Sequence, residues 1–475
     1  MTAWAIVAEI LAIFACAATF LPYIRTDRWW IRMFDFPRMQ LLMIVFAALA
    51  IYAVLFEQTT TFDLFLIGVL VVATVVQFWH IFPYTPIARV QVKSATGKGT
   101  SLKLFIANVQ QENTNSAGLL EQIEEADPDI VLLSEVDERW NRSMRPLQQH
   151  RPYTVIHPQE NTYGINLYSK FELEDAQVRN LVEEDVPSIR TRVLLTNGRS
   201  IMLYGVHPRP PGIRDRDRTE RQDSTERDAE LVVIAHEVER MEEPFIIAGD
   251  FNDVAWSHTT RLFQRISRAL DPRVGRGMYN SFNARSRFFR YPLDHLFHSD
   301  HFTLKKLERK DFFGSDHFPM LVELQLEQQA EHEQEAPTQK ANDRDEAQKI
   351  LGRSEVSRLK DPVIVAGDFN DVAWSHTTRL FQRLGGLLDP RVGRGFYNTY
   401  NANCPFFRYP LDHLFHSDHF KLVRLHRGDH TGSDHFPMLV VLDQEPQAAQ
   451  EQEAPPVKEG DREEAERILE RPVEE

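Results

Sequence analysis

The chain has 475 residues, enough for two or three domains with cores of their own. Its formal net charge is −15, with much of the acid after residues 326 and 442, which weighs against simple electrostatic capture of nucleic acid. Two cysteines, Cys16 and Cys404, lie far apart and imply no disulfide framework.

Three apolar runs come first: Trp4 to Ile24, Met39 to Phe56 and Phe62 to Phe82. Each is close to the ~20 residues a helix needs to cross a bilayer. The start has no basic region, which argues against a cleaved signal peptide. Three buried helices of a soluble domain are the competing reading, but runs this long and this poor in charge are rare in soluble cores. Trp29, Trp30, Trp79 and Tyr84 suit the membrane interface. The first loop carries Arg25, Arg28, Arg32 and Arg38, and the second carries no basic residue. The excess of positive charge on the cytoplasmic side of membrane proteins then places loop one and the C-terminal part in the cytoplasm. Residues 92–100 are a polar linker to a soluble part.

Ser101 to Ala107 reads as a strand ending at Asn108. A helical stripe over Ser116 to Ala126 stops at Asp127-Pro128, and Ile130 to Leu133 is a strand with Glu135 just past its end. This β-α-β start predicts parallel neighbours with Asn108 and Glu135 at one edge. Gly164 to Ser169 is a further strand. Asn197-Gly198 marks a hairpin between Arg192 to Thr196 and Ser200 to Val206, which ends at His207. The charged run of residues 214–228 reads as a solvated loop and helix start, followed by a helix over Arg227 to Met241.

Phe245 to Ala248 is a buried strand leading into Gly249-Asp250-Phe251-Asn252-Asp253. It holds a carboxylate and a carboxamide at the carboxyl end of a strand, where open α/β sheets place their sites. A helix over Trp256 to Arg268 follows. Tyr291 to Phe297 begins Tyr-Pro and reads as an edge strand, with His301 to Leu307 as its expected pairing partner. Gly314-Ser315-Asp316-His317 is a loop before a last strand, Met320 to Leu326. Residues 327–361 are an acidic, Gln/Glu-rich linker expected to be solvated and in part helical, over Asp345 to Leu351.

Residues 244–326 then recur as 362–444 without a gap, with 61 identities in 83 positions. An acidic tail, 445–475, closes the chain. Nothing after 327 repeats the Asn108, Glu135 or His207 segments, so there is one N-terminal half and two C-terminal halves.

The polar groups at predicted strand ends are Asn108, Glu135, His207, Asp250, Asn252, Asp294, Asp316 and His317. Carboxylates with carboxamide oxygens suit a hard divalent cation, and histidines beside carboxylates suit proton transfer or stabilisation of phosphoryl charge. Each signal alone is weak. In their order, IANVQ, LLSEVD, YGVHPRP, IAGDFND, YPLDHLF and GSDHFP, the sequence resembles the endonuclease/exonuclease/phosphatase superfamily of DNase I-like fold, and is most similar to its bacterial members with N-terminal membrane helices.

The resemblance covers 101–326, and again 362–444 for the second half. It implies a four-layer α/β sandwich after three transmembrane helices, and a Mg²⁺- or Mn²⁺-dependent hydrolase of phosphate esters or phosphodiesters. Glu135, Asp316 and Asn108 would hold the metal. His317, oriented by Asp294, would contact the scissile phosphate, Asp250 and Asn252 would position the attacking water and a phosphate oxygen, and His207 would be a second catalytic histidine. Where the family pattern expects a second asparagine near Asn108, this chain has Gln110.

The substrate is then a lipid phosphate or pyrophosphate, or a nucleic acid. The expected location is the bacterial inner membrane, with the catalytic part on the cytoplasmic face. The copy at 244–326 is expected to complete the site, leaving the 362–444 copy as an assembly surface, for example of a homo-oligomer. A non-catalytic membrane scaffold with an occluded site is the alternative.

Overall fold

A computed structural model describes residues 3–24, 26–55, 60–97, 99–212, 223–327, 334, 336–358, 363–402, 407–444 and 455. Cys404 and most of the charged run at 214–228 lie outside them. The chain forms two units, Met1–Leu351 and Gly352–Glu475.

The first unit begins with α1 (Ala3–Phe20), a short α2 (Trp29–Arg32), α3 (Arg38–Val54) and α4 (Thr61–Ile81). Two stretches, Trp4–Tyr23 and Thr61–Tyr84, are long and apolar enough to cross a membrane, each with mean hydropathy 2.2. The middle span reaches that length only as a pair, Trp29–Asp35 with Arg38–Val54, bent by 73°. The bend has a polar centre. Asp35 accepts from Arg38 at 2.7 Å and pairs with Arg32 at 3.1 Å, and both arginines are buried. Two of the four loop-one arginines are therefore structural ion-pair partners.

The part after α4 adds β1 (Thr100–Asn108), α5 (Ser116–Ala126), β2 (Ile130–Ser134), α6 (Glu138–Ser143), β3 (Tyr153–His157), β4 (Ile165–Ser169), β5 (Glu172–Arg179), β6 (Ser188–Leu194) and β7 (Ser200–Val206). Then come α7 (Thr225–Glu239), β8 (Phe245–Asp250), α8 (His258–Ser267), β9 (Asp294–His298), β10 (Phe302–Arg309), β11 (Met320–Leu326) and α9 (Asp343–Arg358). One sheet has the order β10-β11-β1-β2-β4-β3, the other β5-β6-β7-β8-β9. Both are mixed, with β1–β2 and β7–β8 parallel.

The inner faces supply one core, including Leu104, Ile106, Leu132, Ile189, Leu203, Ile246 and Leu324. Fully burying each such side chain is worth about 1.5–3 kcal/mol. The outer face of the first sheet packs on α5 and α6 through Leu119, Ile123 and Trp140, and that of the second on α7 and α8 through Leu231, Ile234 and Phe263. The result is a four-layer α/β sandwich.

Three expectations are corrected. First, β10 pairs with β11 in the other sheet, not with the Tyr291 to Phe297 strand. After β9 the chain turns at Ser299–His301 and changes sheets, because Phe302 and Leu304 then face the shared core. Second, the two linkers are not fully solvated. Val92 is buried in that core, and Gln334 accepts from Lys93 N at 2.8 Å while donating to the carbonyls of Asp300 and Phe302. The start of α9, within the first unit, also packs on its neighbours. Arg265 makes a two-point ion pair with Asp343 at 2.7 and 2.8 Å, His258 meets Glu346 at 2.6 Å, and Ala347 is buried. Third, the end of the charged run is buried. Arg227 is bonded to Asp228 and donates to the Asn252 carbonyl at 2.8 Å.

The second unit contains β12 (Ile364–Asp368), α10 (His376–Leu384), β13 (Asp412–His416), β14 (Phe420–Arg427) and β15 (Met438–Gln444). Among the described residues these form only two pairs, β12–β13 and β14–β15. In the first unit the matching strands continue into larger sheets, β8 through β7 and β11 through β1. Accordingly Ile364 and Leu439 are 49% and 48% exposed, while Ile246 and Leu321 are buried.

Candidate active site

The site lies where strands of both sheets of the first unit end. Asn108 closes β1, Glu135 follows β2, His207 follows β7, Asp250 closes β8, Asp294 opens β9, and His317 precedes β11. Backbone geometry fixes several of them. Glu135 and Asn252 hold φ of 62° and 50°, a region that non-glycine residues seldom occupy and that clusters at functional sites. Gly249, at φ 138°, has no room for a side chain, since a Cβ would meet the Val206 carbonyl at 2.0 Å.

Asn108 links the two sheets, donating to Glu135 Oε1 at 2.8 Å and to Asp250 Oδ2 at 3.1 Å. Its own Oδ1 accepts from Gln110 N at 2.9 Å. His207 Nε2 faces the same two carboxylates, 3.8 Å from Asp250 and 4.0 Å from Glu135. Its Nδ1 is buried without a hydrogen-bond partner among the described residues, and Tyr163 lies beside its ring.

His317 is held from both sides. Its Nδ1 lies 2.6 Å from Asp294 Oδ2 and its Nε2 3.5 Å from Asp250 Oδ2, and Phe282 covers the ring at 5.0 Å. Burial pulls the imidazole pKa down, but Asp294, Asp250 and Asp316 outweigh it and push it up to about 10. The ring is therefore cationic at neutral pH. Asp250, Asp294 and His317 each offer an atom within 4.8 Å of the others, the spacing of a metal cluster. However, a cationic ring whose Nδ1 is already bonded to Asp294 is a poor ligand, and the trio is an ion-paired Asp–His–Asp arrangement in which Asp294 fixes the ring's orientation and charge.

Two further carboxylates flank the Gln110–Gln111 turn: Glu135 accepts from Gln111 N at 3.2 Å, and Asp316 N donates to Gln110 Oε1 at 3.1 Å. Burial pushes the carboxyls of Glu135 and Asp316 up, only partly offset by His207 and Asn108 at Glu135 and by His317 at Asp316. The surrounding protein thus leaves these carboxylates short of positive charge, and their oxygens suit a hard divalent cation, while Asn108 turns its Nδ2 rather than its oxygen to Glu135.

Asn252 also has a bridging task. Its Nδ2 donates to the Pro208 carbonyl at 2.9 Å and its N to Asp250 Oδ1 at 2.9 Å, so it ties the His207 segment to the Asp250 loop. Gln110 has a task of its own. Its Oε1 accepts from Asp316 N at 3.1 Å and from Arg285 at 2.6 Å, holding the Gly314–His317 loop. Tyr163, Arg227, Phe282 and Arg285 were not anticipated from the sequence, because they lie outside the motifs and carry no periodic signal.

The second copy repeats part of this. His435 Nδ1 lies 2.7 Å from Asp412 Oδ2, and Nε2 lies 4.0 Å from Asp368. The three line an open cavity of about 590 Å³ with Arg391 and the apolar strand face.

The model of the endonuclease/exonuclease/phosphatase family matches residues 106–317 and 342–435, more than half of the chain. None of the curated proteins matches it. Similar solved structures include truncated TDP2 of Caenorhabditis elegans, at 16% identity over 48% of this chain and 99% of that one with a TM-score of 0.37. The catalytic domain of human Nocturnin is similar at 16% over 48% and 95%, TM-score 0.37. An endonuclease/exonuclease/phosphatase from Beutenbergia cavernae is similar at 15% over 48% and 72%, TM-score 0.37. With its motifs assembled at the ends of two facing mixed sheets, the chain belongs to the endonuclease/exonuclease/phosphatase family, whose members hydrolyse phosphoester bonds with divalent metals.

Proposed function

We propose that this protein is a membrane-anchored, divalent-metal-dependent phosphoesterase. The observation that carries the reading is His317 held 2.6 Å from Asp294 and 3.5 Å from Asp250, whose carboxylate also accepts from Asn108. Glu135 and Asp316 would hold Mg²⁺ or Mn²⁺, with Asn108 orienting Glu135 beside it, and the ion when bound would neutralise charge on the phosphoryl group. Asp250 takes the proton of the attacking water. The His317 imidazolium stabilises charge developing on a phosphoryl oxygen, and Asp294 keeps its ring charged and oriented. His207 stands across the Asp250 carboxylate and contacts the phosphoryl group from the other side. Asn252 positions Asp250 and the His207 segment.

The anchor is the apolar N-terminal bundle, and the soluble part sits directly on its polar end. Trp256 Nε1 donates to the Asp35 carbonyl at 2.7 Å, Tyr84 OH to the Ala255 carbonyl at 2.9 Å, and Ser224 N to the Asp27 carbonyl at 2.9 Å. Because Val254 to Trp256 directly follow the Asp250–Asp253 loop, the catalytic centre lies close to the membrane surface. We place this face in the cytoplasm of a bacterial inner-membrane protein.

The test offers plasmid DNA, a soluble phosphodiester and a polyprenyl pyrophosphate side by side to the purified full chain, with and without Mg²⁺. Turnover of any of them that disappears in His317→Ala supports the reading. A folded, metal-loaded protein that turns over none of them contradicts it and favours a scaffold. The exposed strand face of the second unit suits such an assembly role, and a homo-oligomer formed through it is compatible with either reading.

A further inference from the structure

The hairpin from Phe282 to Tyr291 joins the candidate catalytic histidine to the polar end of the helical bundle. At its base, Phe282 bridges to both Tyr291 and His317. The Tyr291 ring packs edge-on against Phe36, in the bend before α3, at 5.7 Å. Near its tip, Gln40 in the first turn of α3 donates to the Phe288 carbonyl. On the site side, Arg285 donates to Gln110 Oε1 at 2.6 Å and to the Gly314 carbonyl at 3.0 Å, which places it against the Asp316–His317 loop.

What the hairpin presents outward is two aromatic rings among cations. Phe288 and Phe289 are 74% and 57% exposed, and Arg285 and Arg287 are exposed beside them. Two adjacent, solvent-facing phenylalanines flanked by arginines are costly in water and suited to a bilayer interface, where the rings enter the acyl boundary and the guanidinium groups meet phosphate. The apolar surface continues onto α3, which exposes Met39, Met43 and Phe46 at helical spacing. In the second copy the corresponding positions of Arg285 and Arg287 are Asn403 and Pro405, so this charge is carried only by the copy whose strands join the N-terminal half.

We propose that the hairpin is a membrane lip. Phe288 and Phe289 sit in the bilayer interface, Arg285 and Arg287 hold the head group, and the substrate is a phosphoester of a lipid resident in that bilayer. The substrate assignment rests on the phosphoesterase reading above. In the step itself, water oxygen bonds to phosphorus, the bond from phosphorus to the lipid-side oxygen breaks, and the proton lost by water ends on that oxygen. Lipid alcohol and the freed phosphate group are the products.

The experiment uses the full chain in vesicles of phosphatidylethanolamine and phosphatidylglycerol containing phosphatidic acid, with a soluble aryl phosphodiester and single-stranded DNA as competing substrates. Phe288→Trp reports placement, read as the difference from the parent chain with its seven native tryptophans. The added emission should be blue-shifted and quenched by spin-labelled lipid, and an added emission that is unshifted and unquenched overturns the lip. Phe288→Ser/Phe289→Ser reports use. It should keep soluble turnover within about twofold and lose tenfold or more on the vesicle lipids. Equal activity of the variant and the parent chain on those lipids overturns the substrate assignment, as does soluble turnover with no lipid turnover, or preferential cleavage of single-stranded DNA. Loss of all turnover in the parent chain would instead refute the phosphoesterase reading, while the fluorescence result would still decide the placement.

Discussion

Asp294 Oδ2 lies 2.6 Å from Nδ1 of His317, and Asp412 repeats that contact with His435 at 2.7 Å. The contact is the same in both copies, but its surroundings are not. His317 is 4% exposed and its pKa is pushed up to about 10, with Asp250 adding to the effect of Asp294. His435 is raised as well, by its Asp412 bond first, but in an open setting.

Asp294→Asn keeps the shape and removes the charge that stabilises the imidazolium. Turnover is expected to fall roughly 10²–10⁴-fold. The His317 pKa, followed by NMR of histidine-labelled protein, should drop from its elevated value. An unchanged pKa would mean that Asp294 does not hold the ring charged.

The two copies should contribute unequally. His317→Ala is expected to abolish turnover, while His435→Ala leaves it within about twofold. Deleting residues 355–475 should likewise leave a folded, active protein. Equal losses in the two histidine variants would show that the second copy shares or completes the site.

That deletion must spare the start of α9. Asp343 is 3% exposed at the side chain and bonded twice to Arg265. Asp343→Ala is expected to destabilise the first unit by about 1–3 kcal/mol, read as a fall in the midpoint of thermal or chemical unfolding. An unchanged midpoint would show that α9 is not held on the first unit.

Glu230, on α7, predicts a pH dependence of stability. It is 3% exposed, and its Oε1 has no partner among the described residues. Burial pushes its carboxyl up to about 8, Glu183 adds to this, and Arg179 pulls it back. Below its unfolded value of about 4.3 both states hold the proton and the contribution is complete. As pH rises towards about 8 the unfolded chain has lost that proton and the folded chain retains it, so stability falls across this window. Glu230→Gln should flatten the fall and gain on the order of 1–3 kcal/mol at pH 7. Parallel pH profiles for the variant and the parent chain would show that the group is ionised in the fold.

The sequence was most legible where local pattern and global fold agree. Helix α5 was expected over Ser116 to Ala126 and is found there, and the strand before His207 also begins and ends as expected. Strands β3 and β5 were missed. β5 reads ELEDAQVR, an exposed edge strand with almost no alternation, so it carries no burial signal. Partnership was harder still. Nothing in Phe302–Arg309 states which sheet it joins, because that depends on where the chain turns in space. At the site, residue types and order identified the groups that meet. The sequence could not show that Asn252 faces Pro208, that Gln110 holds the Asp316 loop, or that Arg227 is buried under Asn252.

The central claim is that these groups form one metal-dependent phosphoesterase site. The most direct measurement is turnover of a soluble phosphodiester by the full chain after chelation and Mg²⁺ titration, comparing the parent protein with Glu135→Gln and His317→Ala. Metal binding would be followed by calorimetry in the same samples. The account predicts turnover that returns with Mg²⁺ in the parent chain, weakened Mg²⁺ binding in Glu135→Gln, and lost turnover with retained Mg²⁺ binding in His317→Ala. Turnover that survives chelation, or Mg²⁺ binding unaffected by Glu135→Gln, would contradict it.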